Sequence, residues 1–289
     1  MNYSIKNENL ELVVSSHGAE MQSLISKEGI SYVRDIDQYW NRHAPLLFPI
    51  VGKLRDLKTI INGTEYHMNQ HGFLRDQEFE VYEQKEDEIT FINRYSDETL
   101  KMYPFKYCVY VTYKLHSKTV DTIFKVVNDD TKEMLFNYGG HPGFKCPLYS
   151  GEKFEDYKIV FEEEENFDAP TVVLENGTLN YDNTIAYRNV KELPLDYKDF
   201  VIDAICIPDI KSKSVKLVNK ENKGIKFDFK DFPMLAIWTK PNAPFVCLEP
   251  WIGHADMYNS NYEFKEKRYL IHLESHNTFK AIYSITILD

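Results

Sequence analysis

The sequence predicts a mainly β protein, a single domain spanning residues 1–289 and built from many antiparallel strands with few short helices. Three observations carry this. Aromatic residues make up 14% of the chain, as 20 Tyr, 18 Phe and 3 Trp, and such side chains suit a pleated, half-buried surface. Short strand-prone runs separated by turn residues recur from end to end, whereas a helical period is hard to find. No Pro/Ser/Gly-rich linker divides the chain, and Gly and Pro number only 12 each.

Taken in order, the strand candidates are Leu10 to Val14, Glu78 to Tyr82, Glu88 to Asn93, Tyr107 to Leu115, Thr119 to Val127, Lys158 to Phe161, Ser214 to Val218, Ile225 to Phe229, Met234 to Thr239 and Ala281 to Leu288. His116-Ser117-Lys118 turns the chain back between the two clearest runs. After the second, Asn128-Asp129-Asp130-Thr131 is a turn signal, because Asn and Asp side chains bond nearby backbone and tolerate left-handed conformations. Asn62-Gly63, between Ile60-Ile61 and Thr64-Glu65-Tyr66, marks a hairpin. The acidic run Glu162 to Glu165 reads as a solvated face, since adjacent carboxylates on a strand point to opposite sides and do not converge on one ion.

Charge and cysteine usage exclude whole classes of function. With 34 Lys and Arg against 45 Asp and Glu, the formal net charge of -11 offers no global footprint for nucleic acid or anionic lipid. Mean hydropathy is -0.46, no stretch approaches the roughly 18 apolar residues of a membrane helix, and residues 1–8 contain no apolar signal core, so the expected compartment is the cytoplasm. Cys108, Cys146, Cys206 and Cys247 lie far apart without a C-x-x-C pair, which suggests reduced, partly buried thiols. No P-loop, G-x-G-x-x-G, G-x-S-x-G or H-E-x-x-H pattern is present, so nucleotide cofactors and serine-nucleophile chemistry lose support.

Three segments place a titratable residue beside glycine, proline or an aromatic ring: Asn69 to Asp76, Asn137 to Phe144 and Val246 to Gly253. His141 sits between Gly139-Gly140 and Pro142-Gly143, in backbone able to approach a ligand closely, and a histidine there can titrate near neutral pH; a structural histidine bonded to backbone is the alternative. Glu249 follows the apolar Phe245 to Leu248 and precedes Pro250-Trp251, which reads as a carboxylate at the end of an apolar strand. Lost hydration raises its pKa towards the range of a general base, and the rival reading is a glutamate paired with arginine. His71 lies four residues before Arg75 in a Gly-containing loop, so both can face one cavity. Trp238 and Trp251 beside these groups can offer rings to a sugar or other flat ligand or pack as core, as can Phe73 next to His71. His254 and Asp256 fit a cleft rim or plain loop hydrogen bonding equally well.

Taken together, Phe48 to Gly52, Gln70 to Arg75, Gly140 to Phe144 and Glu249-Pro250-Trp251, in that order and spacing, resemble the aldose 1-epimerase (galactose mutarotase) family over essentially the whole chain, in its LacX-like branch and near the hexose-6-phosphate mutarotases. The resemblance implies an antiparallel β-supersandwich that binds a hexose or hexose phosphate in an open cleft and interconverts its α and β anomers. It assigns His141 as general acid towards the ring oxygen, Glu249 as general base on the anomeric hydroxyl and His71 as the histidine that polarises the ring oxygen or holds the sugar. Gln70, Arg75 and Asp203 carry over as ligand-binding groups. The family's basic residue near Phe48-Pro49 corresponds to Lys53 or Arg55, and Arg42 stands near the position of a phosphate-branch arginine. The implied chemistry needs no cofactor and no metal. The expected partner is a small sugar or sugar phosphate, not nucleic acid or membrane, on a monomer or homodimer. Two other readings remain: a non-catalytic carbohydrate-binding protein, and a metal-dependent sugar isomerase or lyase using His71, His141 and Glu249, with His254 and Asp256 as spare ligands.

Overall fold

The computed structural model describes residues 1–289 and is built almost wholly from antiparallel strands. Where alternation in the sequence is strict, the strands are regular. In Thr119–Asn128 every second residue is buried, and it pairs in continuous register with Tyr107–His116 on one side and Thr278–Leu288 on the other. These three form the centre of a nine-stranded sheet. It runs Thr178–Pro194, Lys158–Val173, Ser214–Val218, Gly224–Asp228, Thr278–Leu288, Thr119–Asn128, Tyr107–His116, Glu88–Arg94 and Glu80–Gln84. Asn62 and Gly63 take φ of 51° and 78° between Lys58–Ile61 and Thr64–His67, the left-handed geometry that a two-residue hairpin requires.

A second, six-stranded sheet joins Ile205–Ile207, Met234–Trp238, Phe245–Ile252, Tyr138–Gly140 and Leu46–Leu47, with Gly143–Lys145 also paired to Phe245–Ile252. The two sheets face each other across one continuous apolar core. Tyr138 of the smaller sheet stacks on Phe124 of the larger at a ring separation of 3.6 Å, and Phe144 meets Phe227 edge-on. In Phe245–Ile252 all eight residues are buried, unlike a one-faced strand. Val246, Leu248 and Ile252 enter the core between the sheets, whereas Phe245, Cys247, Glu249 and Trp251 point to the opposite face. That outer face of the smaller sheet is where the cavity forms. A three-stranded sheet, Asn2–Lys6, Leu10–Ser15 and Met21–Ser26, packs on the core, and the one α-helix is Asp97–Met102, capped by Ser96.

Four expectations are corrected. The strand beginning at Lys158 continues to Val173 and returns as Thr178–Pro194, a hairpin far longer than Lys158 to Phe161. Within it Glu162, Glu163 and Glu164 are exposed, but Glu165 is buried, because the register shifts there and turns its carboxylate inward, where it accepts from Ser212 N at 2.7 Å. Pro250-Trp251 does not end the apolar strand: the ladder continues to Ile252, so Glu249 lies inside the sheet. All four cysteines are fully, not partly, buried and free.

The loop carrying His71 depends on glycine. Gly72 has φ of +73°, and a Cβ there would lie 2.2 Å from the Phe48 carbonyl oxygen. Gly72→Ala is therefore expected to lower unfolding free energy by about 2–4 kcal/mol, from backbone strain plus the clash. Gly63→Ala, with φ of +78° but nothing within 4 Å of the new Cβ, carries only the backbone part, about 1 kcal/mol. Urea denaturation of both variants checks this, and equal losses would show that the clash relaxes.

Candidate active site

A cavity of about 680 Å³ opens on the outer face of the six-stranded sheet. Its floor is set by register. Glu249 stands opposite Ala236, Trp251 opposite Met234 and Cys247 opposite Trp238, so the small Ala236 leaves room beside the carboxylate. His141 follows Tyr138–Gly140, where Gly139 and Gly140 fit against Trp251 and Tyr283 with no room for a side chain. Its backbone N–H donates to Pro45 O at 3.0 Å. This brings Nε2 of His141 to 3.0 Å from Oε2 of Glu249. The contact is not aligned as a hydrogen bond: Glu249 Oε2 and His141 Nδ1 are both buried without a partner.

Burial governs the electrostatics of this pair. Glu249 is 1% exposed, and loss of hydration, reinforced by the charge of Asp203, drives its carboxyl well above the ordinary range. Burial, with the nearby Arg75, pushes His141 down to about 3. The expectation of a near-neutral imidazole is corrected accordingly. Desolvation penalises both charged forms, so the pair is net neutral and holds one proton between its two members.

His71 has φ of +68° and is held from both sides by Gly52, whose N–H donates to Nδ1 at 3.1 Å and whose carbonyl accepts from His71 N at 2.8 Å. With Nδ1 an acceptor, the neutral ring carries its proton on Nε2, which faces the Gln70 side-chain amide at 3.3 Å, so that amide turns its oxygen to the ring as the acceptor. Burial holds this imidazole well below its usual value, aided by His141 and Arg75. His71 is thus a neutral donor, edge-on to His141 at a ring separation of 5.5 Å.

Gln70, Arg75, Lys53, Arg42, Asp203, Trp238 and Trp251 all line the same cavity. Arg75 donates to Gln70 O at 2.8 Å, while Arg42 donates to Arg75 O at 3.0 Å and pairs with Asp76, with Glu20 at 3.8 Å. Lys53 and Arg75 have no carboxylate within ion-pair distance, and burial lowers Arg75. Two expected ligand groups lie elsewhere. Phe73 packs in the core against Phe48, Tyr103 and Tyr107, because the turn after Gly72 directs it inward. Arg55 points away from the cavity: it donates to Ser260 O at 2.6 Å and lies over the Tyr262 ring. His254 and Asp256 are structural. Asp256 pairs with Lys267 at 2.6 Å and accepts from Arg55 N at 2.9 Å, and its own N–H donates to Lys53 O at 2.8 Å.

Several lining residues carry no signal in the sequence. Trp40 lies at 4.7 Å from the His141 ring and meets Trp238 edge-on. It is held by fully buried Arg34, which donates to Trp40 O at 2.7 Å, pairs with Asp37 at 2.7 Å and lies over Phe245. An arginine among non-periodic polar residues gives no hint of this burial. The tip of the long hairpin contributes Val172, Leu174, Gly177 and Leu179, and Cys206 and Lys240 complete the wall.

Fold and cavity define a sheet-rich sandwich carrying a buried histidine–glutamate pair in a polar cleft. The aldose 1-epimerase family model matches residues 1–286. The chain is 38% identical over 299 residues to the plasmid-encoded protein LacX of Lactococcus lactis subsp. lactis, covering 100% of both, and 37% identical to the chromosomal LacX. It superposes on the galactose mutarotase related enzyme of Lactobacillus acidophilus with a TM-score of 0.94 at 31% identity, over 100% of this chain and 98% of that one. A galactose mutarotase-like protein of Lactobacillus casei gives 0.91 at 28% identity, over 100% of each. The chain belongs to the aldose 1-epimerase family, a family of isomerase-type enzymes acting on sugars. No helix is long and apolar enough to cross a membrane.

A buried proton has a thermodynamic signature. Above the ordinary carboxyl value of 4.5 the unfolded chain has lost the Glu249 proton that the folded chain retains, so this group's contribution to stability falls as pH rises towards its folded pKa. Glu249→Gln removes that loss. The stability difference, variant minus wild type, is expected to grow by up to about 1.4 kcal/mol per pH unit from about pH 5 upward, until the pH reaches the raised folded-state pKa. Thermal and urea unfolding across that range check it; a constant difference would mean an ionised carboxylate.

Proposed function

We propose that the protein is a mutarotase, interconverting the α and β anomers of a hexose or hexose phosphate through the His141–Glu249 pair. The observation that carries this reading is the 3.0 Å contact between two buried, oppositely perturbed groups on the cavity floor. Mutarotation removes a proton from the O1 hydroxyl and delivers one to the ring oxygen O5. The ring opens, the C1–C2 bond rotates, and closure on the other face reverses both transfers. Transfer of the pair's one proton from Glu249 to His141 across the 3.0 Å contact gives the carboxylate and the imidazolium that perform the opening step. It leaves a neutral carboxylic acid and a neutral imidazole, the form that burial favours. The site's own electrostatics thus support the open-chain stage, and one proton serves both directions. His71, neutral with its proton on Nε2, serves as a donor to a sugar oxygen, while Trp40, Trp238 and Trp251 supply apolar walls.

The cations support an anionic substituent. Lys53 and Arg75 face the cavity without carboxylate partners in a protein of net charge -11, and a phosphate on the sugar would pair with them. Asp203, half-buried in the wall of the same space, suits a sugar hydroxyl.

Anomer exchange followed by NMR on glucose, galactose, tagatose and their 6-phosphates tests the reading. Glu249→Gln and His141→Asn are each expected to lower kcat by about 10²–10⁴-fold with binding largely kept. Wild-type acceleration in Glu249→Gln would remove that residue from the mechanism, and sugar binding without any acceleration by the wild type would favour a binding protein. Arg75→Gln raises KM for a 6-phosphate by about tenfold or more and leaves a free hexose nearly unaffected; equal effects would exclude a phosphate role.

The pH profile gives a further check. Since His141 gains its second-proton state only near pH 3, kcat/KM is expected to stay level from about pH 5 to 7. A drop centred at the ordinary imidazole value of 6.5 would contradict the neutral pair.

A further inference from the structure

Cys247 precedes Glu249 by two residues, so strand alternation sends its thiol to the same face. One ligand atom from each of His141, Cys247 and Glu249 lies within 4.8 Å of the others, and all three residues are buried. Imidazole nitrogen, thiolate sulfur and carboxylate oxygen are each ligands of zinc. Cys247 has no disulfide partner and takes no part in the proton transfers above. Two further observations point to a ligand at this spot. Glu249 is 1% exposed, yet its Oε2 has no hydrogen-bond partner. Glu249 and His141 also line the cavity, whose open side leaves the fourth position of a tetrahedron to solvent.

We propose that His141, Cys247 and Glu249 form a three-ligand site for a thiophilic divalent cation, best matched by Zn²⁺, whose occupancy switches off anomer exchange. The inhibitory half of this inference rests on the acid/base reading; the binding half does not. Zn²⁺ takes up one carboxylate, one thiolate and one neutral imidazole, while two protons leave to solvent, one from the His141–Glu249 pair and one from the thiol. The site is therefore net neutral both before and after loading, which suits a buried position. The lone pairs that bind the metal are the ones that move protons in turnover, so metal and catalysis exclude each other. His141 Nδ1 lacks a partner, whereas a tightly held zinc ligand has its second nitrogen anchored. The cation acts as a reversible inhibitor competing with the sugar.

The test uses the full-length protein with Co²⁺ as a spectroscopic probe. Stoichiometric Co²⁺ is expected to produce a near-ultraviolet thiolate-to-cobalt charge-transfer band that Zn²⁺ displaces. Cys247→Ser and Cys247→Ala lose this band, and Cys206→Ser, on the cavity wall but outside the triplet, retains it. In anomer exchange, Zn²⁺ inhibits the wild type and a chelator restores it. Cys247→Ser raises the half-inhibitory concentration by more than about 100-fold, beyond the 10–100-fold range of an outer-shell group. Circular dichroism verifies that the variants are folded. Absence of the thiolate band, or equal Zn²⁺ sensitivity in folded Cys247→Ser, overturns the site. A wild type that binds Co²⁺ through Cys247 but never accelerates anomer exchange would overturn the inhibitory half and the mutarotase reading, leaving the metal site standing.

Discussion

Burial of one proton on the strand Phe245–Ile252 is the constraint around which the rest of the protein is arranged. A strand covered on both faces is a poor place for a carboxylate, since an isolated charge loses its hydration there. Glu249 meets this by staying protonated or by sharing its proton with His141, and either solution requires the imidazole to be delivered to the same spot from another part of the chain. Gly139 and Gly140 allow that delivery: side chains at those positions would collide with Trp251 and Tyr283, so only bare backbone brings His141 down onto the sheet. The groups on which the proposed proton transfer depends are thus also costly ones to bury.

The walls are held by backbone more than by surface ion pairs. Gly52 fixes His71 through two hydrogen bonds, and the carbonyl of the next residue, Lys53, accepts from Asp256 N. The Asp256 carboxylate accepts from Arg55 N and pairs with nearly buried Lys267, while the Asp256 carbonyl accepts from Leu179 N of the hairpin. One residue outside the cleft therefore links two of its segments, the one at Lys53 and the hairpin at Leu179. On the opposite wall Arg34 does the same with a guanidinium fork, spanning Trp40, Asp37 and the Phe245 ring. These are orienting interactions, valuable for geometry whatever their net contribution to stability.

Much of the fold was legible because its central strands obey two rules together, alternation and turn chemistry, as in Thr119–Asn128 and the Asn62-Gly63 hairpin. The site was legible where glycine and proline disturb the strand pattern around His71, His141 and Glu249. Two of the residues that lie elsewhere are neighbours of cavity residues in sequence but not in space. Phe73 stands two residues from His71 and Arg55 two from Lys53, yet each points away from the cleft after a turn of the backbone. Glu165 escaped for a different reason, since a register shift breaks the alternation that made it look exposed. Trp40 and Arg34 lie in irregular chain, where no period exists to read. The returning strand of the long hairpin is mostly exposed on both faces over residues 182–192, so it lacks the alternation by which strands are found.

The tip of that hairpin has a consequence for how the molecule behaves as a machine part. The cleft is assembled from residues near 40, 53, 71–75, 141, 172–179, 203–206 and 238–251, so hardly any two of its walls are close along the chain. Such a site cannot exist in a half-formed molecule, and its appearance during folding waits on the slowest long-range pairing. A sugar seated there would act as a clasp across all these segments, favouring only the completed fold and adding stability in proportion to its occupancy. Substrate supply would then set how long each molecule survives in the cell, as well as how often it turns over.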